Sequence, residues 1–80
     1  MKLIKVYWID AASDSDWTEI DKAKKWGRKE EKCVSVGWLI EKNKTNIVIA
    51  SSKGGKDYGD KIKIPVNSVN KIEELTETNS

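Results

Sequence analysis

Hydrophobic and polar residues alternate most clearly between Cys33 and Ser52, where the pattern predicts two β-strands joined by a polar turn. In the first of these strands, larger apolar residues share one side, and we expect that side to be buried: Val34, Val36, Trp38 and Ile40. The other side is small and mixed, and its Gly37 is typical of a bend or a close approach of two backbones. Residues 47–50 are apolar without alternation, which favours a strand covered on both sides. In the turn 41–45, Asn43 suits a left-handed backbone conformation.

A strand and a short helix are predicted before this hairpin. Residues 2–10 form the strand, with Ile4, Val6 and Trp8 on one face. For the helix, Thr18 followed by Asp21 resembles a capping box, and Gly27 is a natural C-terminal stop. The helix has a narrow apolar stripe, made of Ile20, Ala23 and Trp26. A solvated connector is expected over residues 28–32.

The second half of the chain alternates between glycine-rich and apolar stretches. Three glycines within residues 53–60 favour a loop there. Residues 61–65 then form a strand with Ile62 and Ile64 inward, which Pro65 ends. A tight turn at 66–68 leads to a last strand at 69–75. The pattern therefore predicts a mainly β protein: a small five-stranded barrel with one short helix inserted between strands 1 and 2, because closure removes exposed sheet edges.

Length and charge limit the organisation of the chain. Eighty residues suit a single domain, which we place at 1–75, followed by a disordered tail at 76–80. One cysteine and the lack of a long apolar run favour a soluble protein of a reducing cytoplasm, without a membrane anchor. The net charge is only +2, but residues 42–63 carry six lysines against two aspartates. This basic zone is suited to attract an anion, although lysines also keep turns and sheet edges soluble.

The chain resembles two known groups of proteins. The second half of the chain is similar to the back half of Sm-like and SH3-like barrels. The similarity consists of the strand–turn–strand at 33–51, the following loop, the strand Ile62-Lys63-Ile64-Pro65 and the turn into Val69. The chain also resembles small uncharacterised proteins of phages and prophages. This resemblance covers residues 6–13 with Trp17, and residues 35–40, 47–52 and 64–65. Small phage proteins of this size often act against host defences, including by sequestering nucleotide signals. The resemblance therefore implies a cytoplasmic protein of the host cell with such a role.

The composition argues against catalysis. There is no histidine, the commonest general base and metal ligand. Asp10, Asp14 and Asp16 lie close in sequence, but their spacing fails the calcium-loop pattern and fits a helix-capping loop better. We therefore expect a protein that is not an enzyme and has no cofactor or metal.

Binding residues are predicted in two stretches. The segment Ser51-Ser52-Lys53-Gly54-Gly55-Lys56 offers hydroxyls, backbone amides and two cations to a phosphate, and Tyr58 offers a ring for base stacking. Asp10 or Ser13 would hydrogen-bond the ribose or base edge, with Trp17 beside them. Trp8 and Trp38 are expected in the core. Trp17 and Trp26 are expected to hold the helix onto the barrel, to pack between subunits or to stack on a base.

Three functions remain open from the sequence. The leading hypothesis is a phage counter-defence sponge that sequesters a small anionic nucleotide between the subunits of a homo-oligomer. The second is an Sm-like ring that binds RNA or single-stranded DNA, and a modest net charge argues against it. The third is an inhibitor of a host defence enzyme that binds through exposed aromatic residues.

Overall fold

Five antiparallel strands and one short helix make up the chain in the computed structural model, which describes residues 1–11 and 15–76. The strands are β1 (Leu3–Asp10), β2 (Glu31–Lys42), β3 (Asn46–Gly54), β4 (Asp57–Pro65) and β5 (Val69–Leu75). The helix α1 (Ile20–Gly27) stands between β1 and β2, and a 3₁₀ turn (Val66–Ser68) joins β4 to β5. This mainly β architecture with an inserted helix confirms the coarse prediction.

The strands form one sheet in the order β4-β3-β2-β1-β5. β1 therefore lies between β2 and β5, with Val6 opposite Ser35 on one side and opposite Ile72 on the other. β4 and β5 are the two edges, and the sheet is not closed over the described residues. Closure into a barrel is thus not confirmed. The predicted tail, apart from Thr76, lies outside the described residues.

The core lies on one face of this sheet. Its fully buried residues come from β1, β3 and β4, namely Ile4, Val6, Ile47, Ile49 and Ile64. Trp8 and Ile62 pack against them, as predicted. Opposite partners in an antiparallel ladder share a face, so the register of β1 with β2 decides which side of β2 is covered.

That register shows that the predicted buried side of β2 is wrong. Ile4 lies opposite Gly37 and Trp8 lies opposite Cys33, so the small side of β2 faces the core. Val34 and Val36 are 54% and 46% exposed. The physical reason at Gly37 is space, because a β-carbon there would lie 2.6 Å from the Ala50 carbonyl oxygen. On the same side, the Trp8 indole N–H donates to the Ser35 hydroxyl at 3.0 Å. Trp38, predicted in the core, is half-buried on the opposite side of β2.

Two turn predictions also need correction. α1 begins after Glu19, which makes no side-chain cap, and Gly27 lies within the helix rather than beyond it. The backbone of Asn43 does not adopt a positive φ. Its side-chain oxygen instead accepts hydrogen bonds from the backbone N–H groups of Thr45 and Asn46, both at 2.9 Å. Asparagine stabilises this turn through its side chain, a second mechanism by which it favours turns.

Candidate functional site

The segment predicted as a glycine-rich loop is the end of a β-hairpin. β3 continues to Gly54 and β4 begins at Asp57, so only Gly55 and Lys56 form the turn. Gly55 has a φ of 62°, which suits the first central position of a type II′ hairpin turn. The loop prediction at 53–60 is therefore wrong, because cross-strand pairing outweighs the weak strand preference of the glycines. The turn residues remain exposed.

Lys53 and two aromatic rings meet at the base of this hairpin. Lys53 lies directly opposite Tyr58 in the ladder. Its ammonium nitrogen is 5.9 Å from the centre of the Trp38 ring and 5.8 Å from that of Tyr58. The two rings meet edge to face, with centres 6.1 Å apart. We call Trp38, Lys53 and Tyr58 the aromatic–lysine cluster.

This cluster combines two properties that anionic aromatic ligands need. Cation–π contact holds the ammonium close to both rings, within the range of about 6 Å where such attraction matters. The ammonium can pair with phosphate, while the rings offer a surface for a nucleobase. Among the described residues, no carboxylate forms a salt bridge with Lys53 or Lys56.

The two serines of the predicted site brace the hairpin. The Ser51 hydroxyl donates to the carbonyl oxygen of Asp60 at 3.3 Å, and the Ser52 hydroxyl donates to the Asp60 carboxylate. Asp60 itself has a φ of 53°, a conformation that aspartate tolerates better than most residues. These hydroxyl protons are thus engaged within the hairpin.

Asp10 lies at the end of β1, exposed and lining two small grooves. One, of about 340 Å³, also has Asn67, Ser68 and Asn70 in its wall. The other, of about 150 Å³, places Asp10 near Trp26 and Lys29. Asn67, Ser68 and Asn70 were not among the predicted site residues. The sequence signal was a polar turn, and only the pairing of β5 with β1 brings that turn beside Asp10.

The structure brings together only part of the predicted site. Residues 51–58 form one hairpin, whereas Trp17 is fully exposed in the segment before α1. No hydrogen bond, ion pair or ring contact joins Asp10 or Trp17 to that hairpin within the described ranges. Ser13 lies outside the described residues. The end of β4, rather than its start, lies near Asp10, since Val69 follows Pro65 by four residues and lies opposite Trp8.

A second charged group lies at the β1–β5 edge and is balanced. Lys5 and Lys71 lie 5.1 and 5.7 Å from the centre of the Tyr7 ring, and the Tyr7 hydroxyl donates to Glu73 at 3.4 Å. A hydrogen bond from Lys71, at 2.8 Å, lowers the pKa of Glu73 and raises the pKa of Lys71. A hydrogen bond with the Tyr7 hydroxyl raises the pKa of Lys5. Because Glu73 compensates these lysines, this edge is a weaker anion site than the hairpin.

The described residues contain neither a group of side chains that could hold a metal ion nor a helix that could span a membrane. No three acidic, cysteine or histidine side chains come together there in a way that would hold a metal ion. The described helix is too short to cross a membrane.

Comparison with known proteins found no matching family model, curated protein or solved structure.

Proposed function

We propose that this protein is a non-enzymatic binding protein that holds a small anionic nucleotide at the aromatic–lysine cluster. The observation that carries the proposal is the position of the Lys53 ammonium within 6 Å of two ring centres, 5.9 Å from Trp38 and 5.8 Å from Tyr58. Lys56, in the exposed turn three residues later, supplies a second cation. The ligand's phosphate would lie on these two lysines and its base against Tyr58 or Trp38.

Base stacking and charge pairing together give such a site useful affinity. Stacking on an aromatic side chain contributes roughly 1–3 kcal/mol per base. Within the described residues, Lys53 and Lys56 form no salt bridge that phosphate binding would have to break. The hydrogen bonds of Ser51 and Ser52 to Asp60 hold the hairpin in place before the ligand arrives, which reduces the ordering cost of binding.

The wider proposal follows from the resemblance to phage proteins. It describes an oligomer of Sm-like or SH3-like barrels that sequesters a host nucleotide signal in the host cytoplasm. The single sheet and the inserted helix are compatible with it. In this oligomer, Asp10, Ser13 and Trp17 of one subunit would face the hairpin of another and contact the ribose or base edge.

Isothermal titration calorimetry with mononucleotides and cyclic dinucleotides tests the proposal. We expect the double variant Lys53→Ala/Lys56→Ala to lose at least tenfold in affinity, with a melting temperature close to that of the parent. Lys44→Ala, in the opposite turn, is the matched control and should bind like the parent. If the double variant binds equally well, or if no nucleotide binds the parent protein, the proposal fails.

RNA or single-stranded DNA is a second candidate ligand, favoured by the lysines of the edge strand β4. Lys61 and Lys63 are exposed on this strand and line a groove of about 450 Å³ with Asn43 and Asn46. A polymer that follows this edge would contact several lysines at once, so its affinity would fall steeply with salt. Titration with oligonucleotides of two lengths at two salt concentrations separates the candidates. Affinity that rises with length favours the polymer, and affinity that is independent of length favours the nucleotide.

A further inference from the structure

Tyr7 lies on the outer face of the sheet, beside two lysines. Ile4 and Val6 belong to the core, and successive residues of a strand alternate between the two faces, so Lys5 and Tyr7 point outward. The Lys5 and Lys71 ammonium nitrogens lie 5.1 and 5.7 Å from the centre of the Tyr7 ring. Tyr7 is only half-buried, which leaves part of its ring accessible. The outer face thus carries a second aromatic ring with ammonium groups next to it.

Trp38 of the aromatic–lysine cluster lies on the same face as Tyr7. It is the β2 partner of Leu3, and Tyr7 comes four residues after Leu3 on β1. Opposite partners in an antiparallel ladder share a face, and residues four apart on one strand share it as well. Four residues of strand correspond to about 13 Å. The Trp38 and Tyr7 rings are therefore two platforms on one surface, about 13 Å apart along the strands.

Lys5 lies midway between these two platforms. It is two residues away from each of the two β1 positions that define them. Within the described ranges, Lys5 takes part in no salt bridge. Glu73 lies opposite Lys5 on β5, but its carboxylate is already paired with the Lys71 ammonium at 2.8 Å. The Lys5 ammonium is therefore a cation that can bind an anionic group placed between the two rings.

We propose that the ligand is a dinucleotide, with one base on the aromatic–lysine cluster, the linking phosphate at Lys5 and the second base on Tyr7. This inference rests on the proposed function, because the first base occupies the cluster assigned there. A dinucleotide carries a phosphodiester between its two bases, and the outer face presents a ring, a cation and a ring in the same order. Stacked neighbouring bases lie only about 3.4 Å apart, so this ligand binds with its bases unstacked. Linear and cyclic dinucleotides share this chemistry.

Isothermal titration calorimetry with mononucleotides and the matching linear and cyclic dinucleotides tests this inference. We expect the parent to bind a dinucleotide, in one of the two forms, about tenfold more tightly than the mononucleotide, because the second base adds a stacking contact. Tyr7→Leu removes the ring and should abolish this gain while leaving mononucleotide affinity unchanged. Tyr7→Phe keeps the ring and should retain the gain. Unchanged mononucleotide binding also shows that each variant is folded.

The role of Lys5 is tested in the same titrations. Lys5→Gln should lower dinucleotide affinity severalfold and leave mononucleotide affinity close to that of the parent, because only the dinucleotide places a phosphate between the rings. Lys44→Gln, in the turn between β2 and β3, removes the same charge and is the matched control. It should bind both ligands like the parent.

Ligand contacts in the parent protein give a check that does not depend on variants. With isotope-labelled protein and unlabelled dinucleotide, filtered nuclear Overhauser effects should connect one base with the Tyr7 ring and the other with the Trp38 or Tyr58 ring. Three results would overturn the inference: both bases contact only the hairpin, dinucleotides bind no more tightly than mononucleotides, or Tyr7→Leu keeps the gain. Mononucleotide binding that depends on Lys53 and Lys56 would still support the proposed function in those cases. If the parent binds no nucleotide, the proposed function fails and this inference fails with it.

Discussion

Gly37 and the carbonyl of Ala50 approach so closely that no side chain fits between β2 and β3 at this point. A β-carbon at position 37 would lie 2.6 Å from the Ala50 oxygen and 3.0 Å from its carbonyl carbon. Directly beyond it, the register of the two strands shifts between Leu39 and Glu41. A bulge of this kind bends and twists a strand. This glycine therefore allows β3 to approach β2 just before the bulge, next to Trp38, which lies opposite Ala50.

Gly37→Ala should destabilise the fold. The added methyl group must displace a backbone carbonyl rather than a flexible side chain, and overpacking of this kind costs about 1–3 kcal/mol. Urea denaturation followed by circular dichroism gives the free energy of unfolding. Gly59→Ala is the matched control, because its β-carbon would meet only the Ser52 side chain at 3.9 Å. Equal losses in the two variants would contradict the close approach.

Removing the Ser35 hydroxyl should also weaken the fold. The Trp8 indole N–H donates to it at 3.0 Å in a partly buried position. An N–H group without a partner there costs about 1–3 kcal/mol, and its partial exposure favours the lower end. We expect Ser35→Ala to lose about 1 kcal/mol of unfolding free energy and Ser35→Thr to retain most of it. The Trp8 indole N–H resonance should move in the alanine variant only. If that resonance does not change, the hydrogen bond is absent in solution.

These two positions also show why the sequence could predict the strands but not the buried face of β2. The alternation at 33–40 identifies a strand with two distinct sides, and larger apolar residues usually mark the buried one. Here Trp8 of β1 packs against the core and donates to the Ser35 hydroxyl, and Gly37 lies against the Ala50 carbonyl, so the small side of β2 faces inward. That choice depends on the neighbouring strand and is invisible in β2 alone. By contrast, β5 and the turn before it were predicted with their observed bounds, because Pro65 and the local spacing determine them.

The sequence predicts only part of the candidate site, because the rest depends on pairing between strands. Lys53 and Tyr58 were recognised from the charge and aromatic content of their segment. Strand pairing places Lys53 opposite Tyr58 and brings the Trp38 ring against that of Tyr58, and neither contact is visible in the local sequence. The apolar alternation of β2 instead predicts Trp38 in the core. Glycine content alone predicted a loop, since local preference contains no information about the strand opposite.

The Lys71–Glu73 pair predicts a specific dependence on pH. Its hydrogen bond lowers the pKa of Glu73 in the folded protein below the value in the unfolded chain. The pair therefore stabilises the fold above the unfolded pKa of the carboxyl, and this contribution is lost as the pH falls through the folded pKa. Lys71 is exposed and Glu73 is partly exposed, so water screens the pair and the effect on stability is small. Carboxyl ¹³C titration should show a lowered midpoint for Glu73.

Lys71→Ala should raise that midpoint toward the ordinary glutamate value. Lys61→Ala, on the opposite sheet edge, should leave it unchanged. A Glu73 midpoint that does not respond to Lys71→Ala would show that this ion pair does not persist in solution.

The most direct test of nucleotide binding at the aromatic–lysine cluster is a ¹H–¹⁵N correlation spectrum recorded during titration with a nucleotide panel. We predict that the largest shift changes occur at the Trp38 indole N–H and at the backbone amides of Lys53, Gly55 and Tyr58. Shift changes confined to the β1–β5 edge around Tyr7, or no changes with any nucleotide, would contradict it.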